Sequence, residues 1–260
     1  MAHSRSPAMH NAALAALGMD DWTYQRLPVP PALFEQTTRA LGQAGFRGAN
    51  VTIPHKLAAL ALADEASRSA QEIGAANTLT FTADGAISAD NTDAPGLIAA
   101  LGVDPAGLTA LVLGAGGSAR AAVWALREAG AGEISVYNRT PERALTLASQ
   151  FGVDASTHPH KADLLINCTS VGLERSATEA DTLNQLGLTL DAVGEYSYVV
   201  DLVYNAAAGT PLLQLARRLG AKTVDGLEIL IAQGALSLER WTGRKAPLSA
   251  MREGALRSDP

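Results

Sequence analysis

Cysteine occurs once in these 260 residues, as Cys168, so no intrachain disulfide can form and a reducing compartment is implied. Metal-ligand clusters are also missing. Zinc sites gather Cys, His and carboxylates at short spacing. The nearest approach here, His158-Pro159-His160, reads as a solvated loop, and no metal is expected. Cations are in deficit, 20 Lys and Arg against 26 Asp and Glu, and no basic stripe offsets the net charge of −6, which argues against nucleic acid as a partner. No apolar run reaches the roughly eighteen residues a membrane-spanning helix needs, and no charged-then-apolar leader opens the chain. The expectation is a cytoplasmic protein, monomer or homodimer, that works on a small molecule away from membranes. With 47% hydrophobic and 18% charged residues, the chain has the apolar surface for packed cores and is not a disordered sequence.

What is present is a strand-turn-helix pattern. Thr109 to Leu113 is an apolar, β-like run that breaks at Gly114, and Ala119 to Glu128 then shows apolar residues at helical spacing. In a dinucleotide-binding turn the first glycine permits the tight turn and the second lets the backbone approach a pyrophosphate. The helix start adds unpaired N–H groups and the positive end of its dipole. Gly114, Ala115, Gly116, Gly117, Ser118 and Ala119 fill these places, with Ala119 at the third-glycine position.

A glycine pattern alone is weak in a chain with 24 Gly, and the next strand decides. A site for NAD ends that strand with Asp or Glu to hold the ribose 2′-hydroxyl. Here Val136-Tyr-Asn-Arg-Thr140 puts Asn138 and Arg139 there, and a guanidinium suits a 2′-phosphate. Arg143, near the start of a helix opened by Thr140 and Pro141, is a candidate second cation. Solvated surface charge is the alternative for both arginines. The expected cofactor is NADP.

The chain exceeds one ordinary domain, and the residues ahead of position 109 need their own fold. Periodicity predicts helices at Ser6–Leu17, Pro31–Gly42, Leu57–Leu62 and Ser67–Ile73, and strands at Trp22–Val29 and Phe46–Ile53. Asn77–Phe81 and Ala86–Ala89 pair across Asp84-Gly85. After the cofactor motif, strands at 133–138, 163–168, 198–203 and 222–224 alternate with helices at 141–150 and 211–219, the pattern of a doubly wound sheet. Helices at Gly226–Trp241 and Leu248–Leu256 close the chain. The expected organisation is two-domain α/β: a substrate-binding and catalytic domain of residues 1–95 plus 226–260, to which the C-terminal helices return, and a Rossmann-type NADP-binding domain of residues 96–225.

Hydride transfer from an alcohol carbon also requires the hydroxyl proton to leave, by way of a metal or a positioned acid-base group. A Tyr-x-x-x-Lys helix would serve, but none of the five Tyr has Lys four residues on. What remains is a polar set in the first domain: Ser4 and Ser6, Asn50-Val-Thr-Ile-Pro-His-Lys56, Asn77-Thr78 and Asn91-Thr-Asp93. Pro54 stops a strand and leaves Thr52 and Lys56 at its mouth. Lys56 is suited to give or take the proton, with a carboxylate such as Asp93 to orient it. Taken singly, each has a plainer reading: Lys56 a solvated lysine, Asp93 a helix cap, Asn77 a turn residue.

At these residues the chain resembles the shikimate dehydrogenase family of NADP-linked oxidoreductases in aromatic amino-acid biosynthesis. The resemblance runs essentially end to end. It includes His3-Ser-Arg-Ser-Pro7, Asn50 to Lys56, Gly74-Ala-Ala-Asn-Thr78, Asn91-Thr-Asp93, Gly114-Ala-Gly-Gly117, Asn138-Arg-Thr140, Asp201-Leu-Val-Tyr204, Asp225-Gly226 and Gln233-Gly234. It implies that Ser4, Ser6, Thr52 and Tyr204 surround a substrate carboxylate, and that Lys56, Asn77, Asp93 and Gln233 hold ring hydroxyls. Lys56 and Asp93 would be the catalytic pair in the reversible reduction of 3-dehydroshikimate to shikimate, on the route to chorismate. Thr169 and Gly226 would border the cofactor.

Two departures stand out. Asn205-Ala-Ala-Ala208 replaces the usual Asn-Pro after Tyr204, and Met1 stands where the family has the last residue of a strand ending Gly-x-Pro-Val, which implies a start further upstream. Three other readings remain open: an enzyme also active on quinate, an NADP(H)-sensing Rossmann protein without turnover, and a folate- or amino-acid-linked dehydrogenase.

Overall fold

The computed structural model describes residues 4–174, 176–204 and 209–257. Met1, His3 and Asn205 to Ala208 lie outside them. The chain divides into two compact units, residues 1–96 with 230–260 and residues 97–229. The divisions fall inside the helices Asp93–Leu101 and Gly226–Thr242.

The first unit opens with α1 (Ser6–Ala16), whose start is set by Pro7, and continues through α2 (Phe34–Gln43), β1 (Gly48–Asn50), α3 (Lys56–Leu62), β2 (Glu65–Ala66) and α4 (Arg68–Ile73) to the hairpin β3 (Thr78–Phe81) and β4 (Ile87–Asp90). Helix α5 (Asp93–Leu101) begins just after β4 ends. The sheet order is β1-β3-β4-β2. Its register puts Asn50 opposite Thr78, and Thr78 opposite Asp90. Three motifs distant in sequence therefore end side by side.

Two strands expected from the sequence differ. Trp22–Val29 forms no strand, because the Asn11 side chain takes both main-chain groups of Tyr24: its amide donates to the Tyr24 carbonyl at 2.9 Å and its oxygen accepts the Tyr24 N–H at 2.7 Å. The Phe46–Ile53 run is ordered as strand only over Gly48–Asn50, since Thr52 closes a turn onto the His55 N–H ahead of the cis Ile53-Pro54 bond.

The second unit carries β5 (Ala110–Leu113), α6 (Gly117–Glu128), β6 (Ile134–Tyr137), α7 (Pro141–Phe151), β7 (Asp154–Ser156), β8 (Leu164–Asn167), α8 (Glu179–Leu186), α9 (Leu190–Val193), β9 (Tyr198–Asp201), α10 (Pro211–Arg218) and β10 (Lys222–Asp225). All six strands are parallel, in the order β10-β9-β8-β5-β6-β7. The faces are read from alternate residues: Val112, Val136, Ile166 and Val200 pack with Val123, Leu126 and Leu147 on one side, and Leu111, Leu113, Leu165 and Val199 with Leu186, Leu212 and Leu213 on the other. Each such aliphatic side chain contributes about 1.5–3 kcal/mol through burial. Strand β7 and helices α8 and α9 were not expected from the sequence. The short helices are held by Thr178 and Asp181, which cap one another reciprocally, and by Thr189.

Helix α11 (Gly226–Thr242) leads into α12 (Leu248–Leu256), which crosses α1 so closely that a Cβ on Gly254 would lie 2.5 Å from the Ala8 carbonyl oxygen. His10, on the buried face of α1, stacks on Tyr24 at 4.3 Å with Trp241 of α11 alongside at 5.7 Å, and among the described residues neither ring nitrogen has a hydrogen-bond partner. Burial lowers its pKa from 6.5 to about 3. Unfolding lets this ring take up a proton, so its contribution to stability is full above pH 6.5 and is lost as pH falls towards 3. We expect His10→Phe to flatten the decline in unfolding free energy between about pH 6 and 4, where each pH unit costs the unmodified protein up to about 1.4 kcal/mol at this site. Identical pH slopes in chemical denaturation would overturn this.

Candidate active site

The first unit gathers one buried polar cluster. Lys56, the first residue of α3, is only 7% exposed, and its ammonium lies 2.5 Å from Asp93 Oδ2 at the start of α5. Asp93 also complements the helix dipole there. Removing an ammonium from water is tolerable only with such a counter-charge and further hydrogen bonds. Asn77, just ahead of β3, supplies the next link: its amide nitrogen donates to Asp93 Oδ1 at 2.8 Å and to Gln233 Oε1 of α11 at 3.2 Å, while its oxygen accepts the Thr92 N–H at 2.7 Å. Gln233 is oriented in turn by donating to the Leu230 carbonyl at 2.8 Å.

Beneath these groups lies a layer that sequence reasoning did not assign. Ser237, one helical turn beyond Gln233 and fully buried, accepts from the Asn50 amide at 2.8 Å and lies 3.0 and 3.2 Å from the Thr78 and Thr92 hydroxyls. The available signal was its i+4 spacing from Gln233, which puts both on one face of α11. Lys56, Asn77, Asp93 and Gln233 are thus brought together directly. Ser4 and Ser6 are linked to each other, the Ser6 N–H donating to Ser4 Oγ at 3.4 Å, and Thr52 is exposed in the turn before α3. Tyr204 belongs to the second unit.

In the second unit the phosphate-type turn joins β5 to α6. Gly114 has φ +108°, and a Cβ there would sit 3.2 Å from Thr169 Cγ2 and 3.3 Å from the Cys168 carbonyl, so only glycine fits. At Gly116 a Cβ would meet nothing within 4 Å, and no side chain caps the helix that follows. That leaves open space in front of Gly117 and Ser118 at the positive end of the α6 dipole, the surroundings a pyrophosphate needs. Ala119 is fully buried in the core and serves packing. Asn138 turns its amide onto the Thr140 carbonyl at 2.9 Å, and Arg139, Thr140 and Arg143 are exposed beyond β6. Ala115 is partly exposed ahead of α6. Thr169 follows β8, with its hydroxyl donating to Asn167 Oδ1 at 2.7 Å. Gly226 is glycine for a packing reason: a Cβ would lie 2.5 Å from the Leu202 carbonyl oxygen. His158 and His160 engage Thr157, Ser135 and Ser156 side chains.

The parallel sheet of the second unit with its strand-turn-glycine-helix, and the first unit's lysine-carboxylate pair in an amide-rich cluster, define a nucleotide-linked dehydrogenase class. Comparison with known proteins narrows it. Residues 1–79 match the shikimate dehydrogenase substrate binding domain, residues 100–184 the shikimate / quinate 5-dehydrogenase family, and residues 226–255 the shikimate 5'-dehydrogenase C-terminal domain. The shikimate dehydrogenase (NADP(+)) of Methanopyrus kandleri is 41% identical over 272 residues, covering 98% of this chain and 91% of the relative. Among solved structures, the shikimate 5-dehydrogenase of Thermus thermophilus, in complex with NADP(H) and shikimate, is 42% identical with a TM-score of 0.86, covering 98% of this chain and 94% of that one. The ligand-free 5-ketofructose reductase of a Gluconobacter species is 30% identical with a TM-score of 0.83, covering 97% and 93%. The chain belongs to the shikimate dehydrogenase family.

The two glycines of the turn make separable demands. Gly114→Ala is expected to cost about 1–3 kcal/mol of stability, from its backbone conformation and the approach of Thr169. Gly116→Ala, at ordinary φ in open space, is expected to change stability by less than about 0.5 kcal/mol. Equal losses in urea denaturation would show that the turn is not strained at Gly114.

Proposed function

We propose that this protein is a cytoplasmic shikimate dehydrogenase that catalyses the reversible, NADPH-dependent reduction of 3-dehydroshikimate to shikimate, with Lys56 and Asp93 as its catalytic pair. The buried ion pair between them carries this reading, because a lysine taken out of water beside a carboxylate is a positioned proton donor and acceptor. NADPH, when bound, supplies the hydride. Lys56 gives a proton to the oxygen of the carbonyl being reduced, and takes it back in the reverse direction. Asp93 holds the ammonium in place. Asn77 and Gln233 offer an amide nitrogen and oxygen each, suited to ring hydroxyls that both give and accept hydrogen bonds. Ser4, Ser6 and Thr52, with Tyr204, supply hydroxyl donors for the substrate carboxylate.

The Gly114 to Ala119 turn would hold the cofactor's pyrophosphate, Arg139 and Arg143 beside Asn138 and Thr140 would hold its 2′-phosphate, and Thr169 and Gly226 would border it. The similarity to a 5-ketofructose reductase supports a second reading, a related polyhydroxy ketone as substrate. NADP+ reduction followed with shikimate, with quinate and without substrate, and NADPH oxidation followed with 5-ketofructose, separate the two.

We expect Lys56→Ala to lower kcat by roughly 10²–10⁴ while NADP+ affinity stays near normal, since only proton transfer is lost. Near-normal turnover would remove Lys56 from the mechanism. Arg139→Ala is expected to weaken NADPH binding by about 1.5–3 kcal/mol and leave NADH binding nearly unchanged. Equal losses in titrations with both cofactors would make Arg139 structural.

A further inference from the structure

Asn167 and Asp201, at the carboxyl ends of β8 and β9, are 0% and 1% exposed and are not among the residues assigned above to substrate or cofactor. We propose that they are a pair of positioning residues, which hold the Thr169 turn and the Tyr204 segment in the one relative arrangement the reaction uses. The inference rests on the reading that Thr169 borders the cofactor and Tyr204 the substrate.

The hydrogen bonds run in one direction only. Asn167 Oδ1 accepts from the Thr169 N–H at 3.0 Å and the Thr169 hydroxyl at 2.7 Å, and its amide nitrogen donates to the Val171 carbonyl at 3.2 Å and to Asp201 Oδ1 at 2.9 Å. Both ends of the amide are occupied, so it cannot flip without setting a donor against a donor. Asp201 Oδ1 also accepts the Val203 N–H at 3.1 Å, one residue before Tyr204, and Oδ2 accepts the Thr210 hydroxyl at 2.6 Å. The Thr210 hydroxyl accepts in turn from the Leu213 N–H at the start of α10. A carboxylate is the side chain of this size that accepts three donors and offers none. An arrangement that spends two buried polar groups on loop conformation, where apolar side chains would fill the space, is a constraint on geometry.

Burial pushes the Asp201 carboxyl up to about 7, against the three donors that favour its ionised form, and the Asp225 carboxylate adds to the rise. Asp225 is itself faced by Arg217 of α10 and Glu228 of α11. The isosteric change Asp201→Asn therefore reproduces the uncharged form and turns one acceptor into a donor.

The test compares the unmodified chain with Asp201→Asn, Asn167→Asp and, as a check on the underlying reading, Thr169→Val and Tyr204→Phe. KM for NADP+ and for shikimate, kcat, melting temperature, and amide exchange at Thr169, Val171 and Val203 are measured for each. The expected result for Asp201→Asn is a rise of about tenfold in KM for NADP+ or shikimate, the size of one lost charge-assisted hydrogen bond, with faster exchange at those amides and unchanged protection in β5. A role in stability alone would lower the melting temperature and the active fraction while leaving both KM values unmoved, and that outcome overturns the proposal. If Thr169→Val and Tyr204→Phe also leave KM unchanged, the reading of those two residues has failed and the positioning role falls with it. If they raise KM and Asp201→Asn does not, the reading stands and only the positioning role is lost. Should Asp201→Asn not fold, Asn167→Asp is read by the same measurements, with the same two outcomes deciding.

Discussion

The lysine ammonium of Lys56, buried against the carboxylate of Asp93, is the constraint to which the rest of the first unit answers. An isolated charge in such a place would be neutralised or driven to the surface. Here the carboxylate lies 2.5 Å away, its other oxygen accepts from Asn77, and Asn77 is fixed by Thr92, Thr78 and Gln233. Every further polar atom brought in needs a partner of its own, which is why the cluster continues inwards to Asn50 and Ser237. A second buried carboxylate, Asp90, accepts from the Ser67 hydroxyl and the Asn91 N–H and pairs with Arg240 of α11, tying that helix to the sheet that presents the cluster.

The second unit solves the same problem with different means. Its central strands are buried on both faces, so their polar main chain is satisfied by the parallel ladder and their side chains are apolar throughout β5 and in β8 up to its last residue. Polar side chains gather where the strands stop, at Asn138, Asn167, Thr169, Asp201 and Asp225. The carboxyl ends of a parallel sheet are where chemistry is placed, because there the backbone runs out of ladder partners and loops must be held by side chains.

The similarity both to a shikimate 5-dehydrogenase and to a 5-ketofructose reductase shows what such a fold does and does not decide. The sheet and the glycine turn are the shared frame, and a fold of this kind leaves the choice of substrate to the side chains set upon it.

Local chemistry was legible in the residue order. The strand-glycine-helix of β5 and α6, the alternation that makes a doubly wound sheet, the hairpin turn at Asp84-Gly85 and the Arg139 position follow from periodicity and backbone freedom, which act over a few residues. Lys56 and Asp93 stood out as residue types, yet nothing local said that they meet. That was decided by sheet register, which sets Asn50, Thr78 and Asp90 in one row and so brings the ends of three distant motifs together. Ser237 and Arg240 were silent for the same reason: on a helix, a serine and an arginine acquire meaning only from what packs against them. Trp22 to Val29 shows the converse, a strand-like run that forms no strand because one asparagine side chain on α1 holds both main-chain groups of Tyr24. Propensity and short motifs act through neighbouring residues, so the sequence alone determined most of the elements and the cofactor type. Burial, register and the pairing of buried polar groups depend on residues far apart in the chain, and only the tertiary structure decided those.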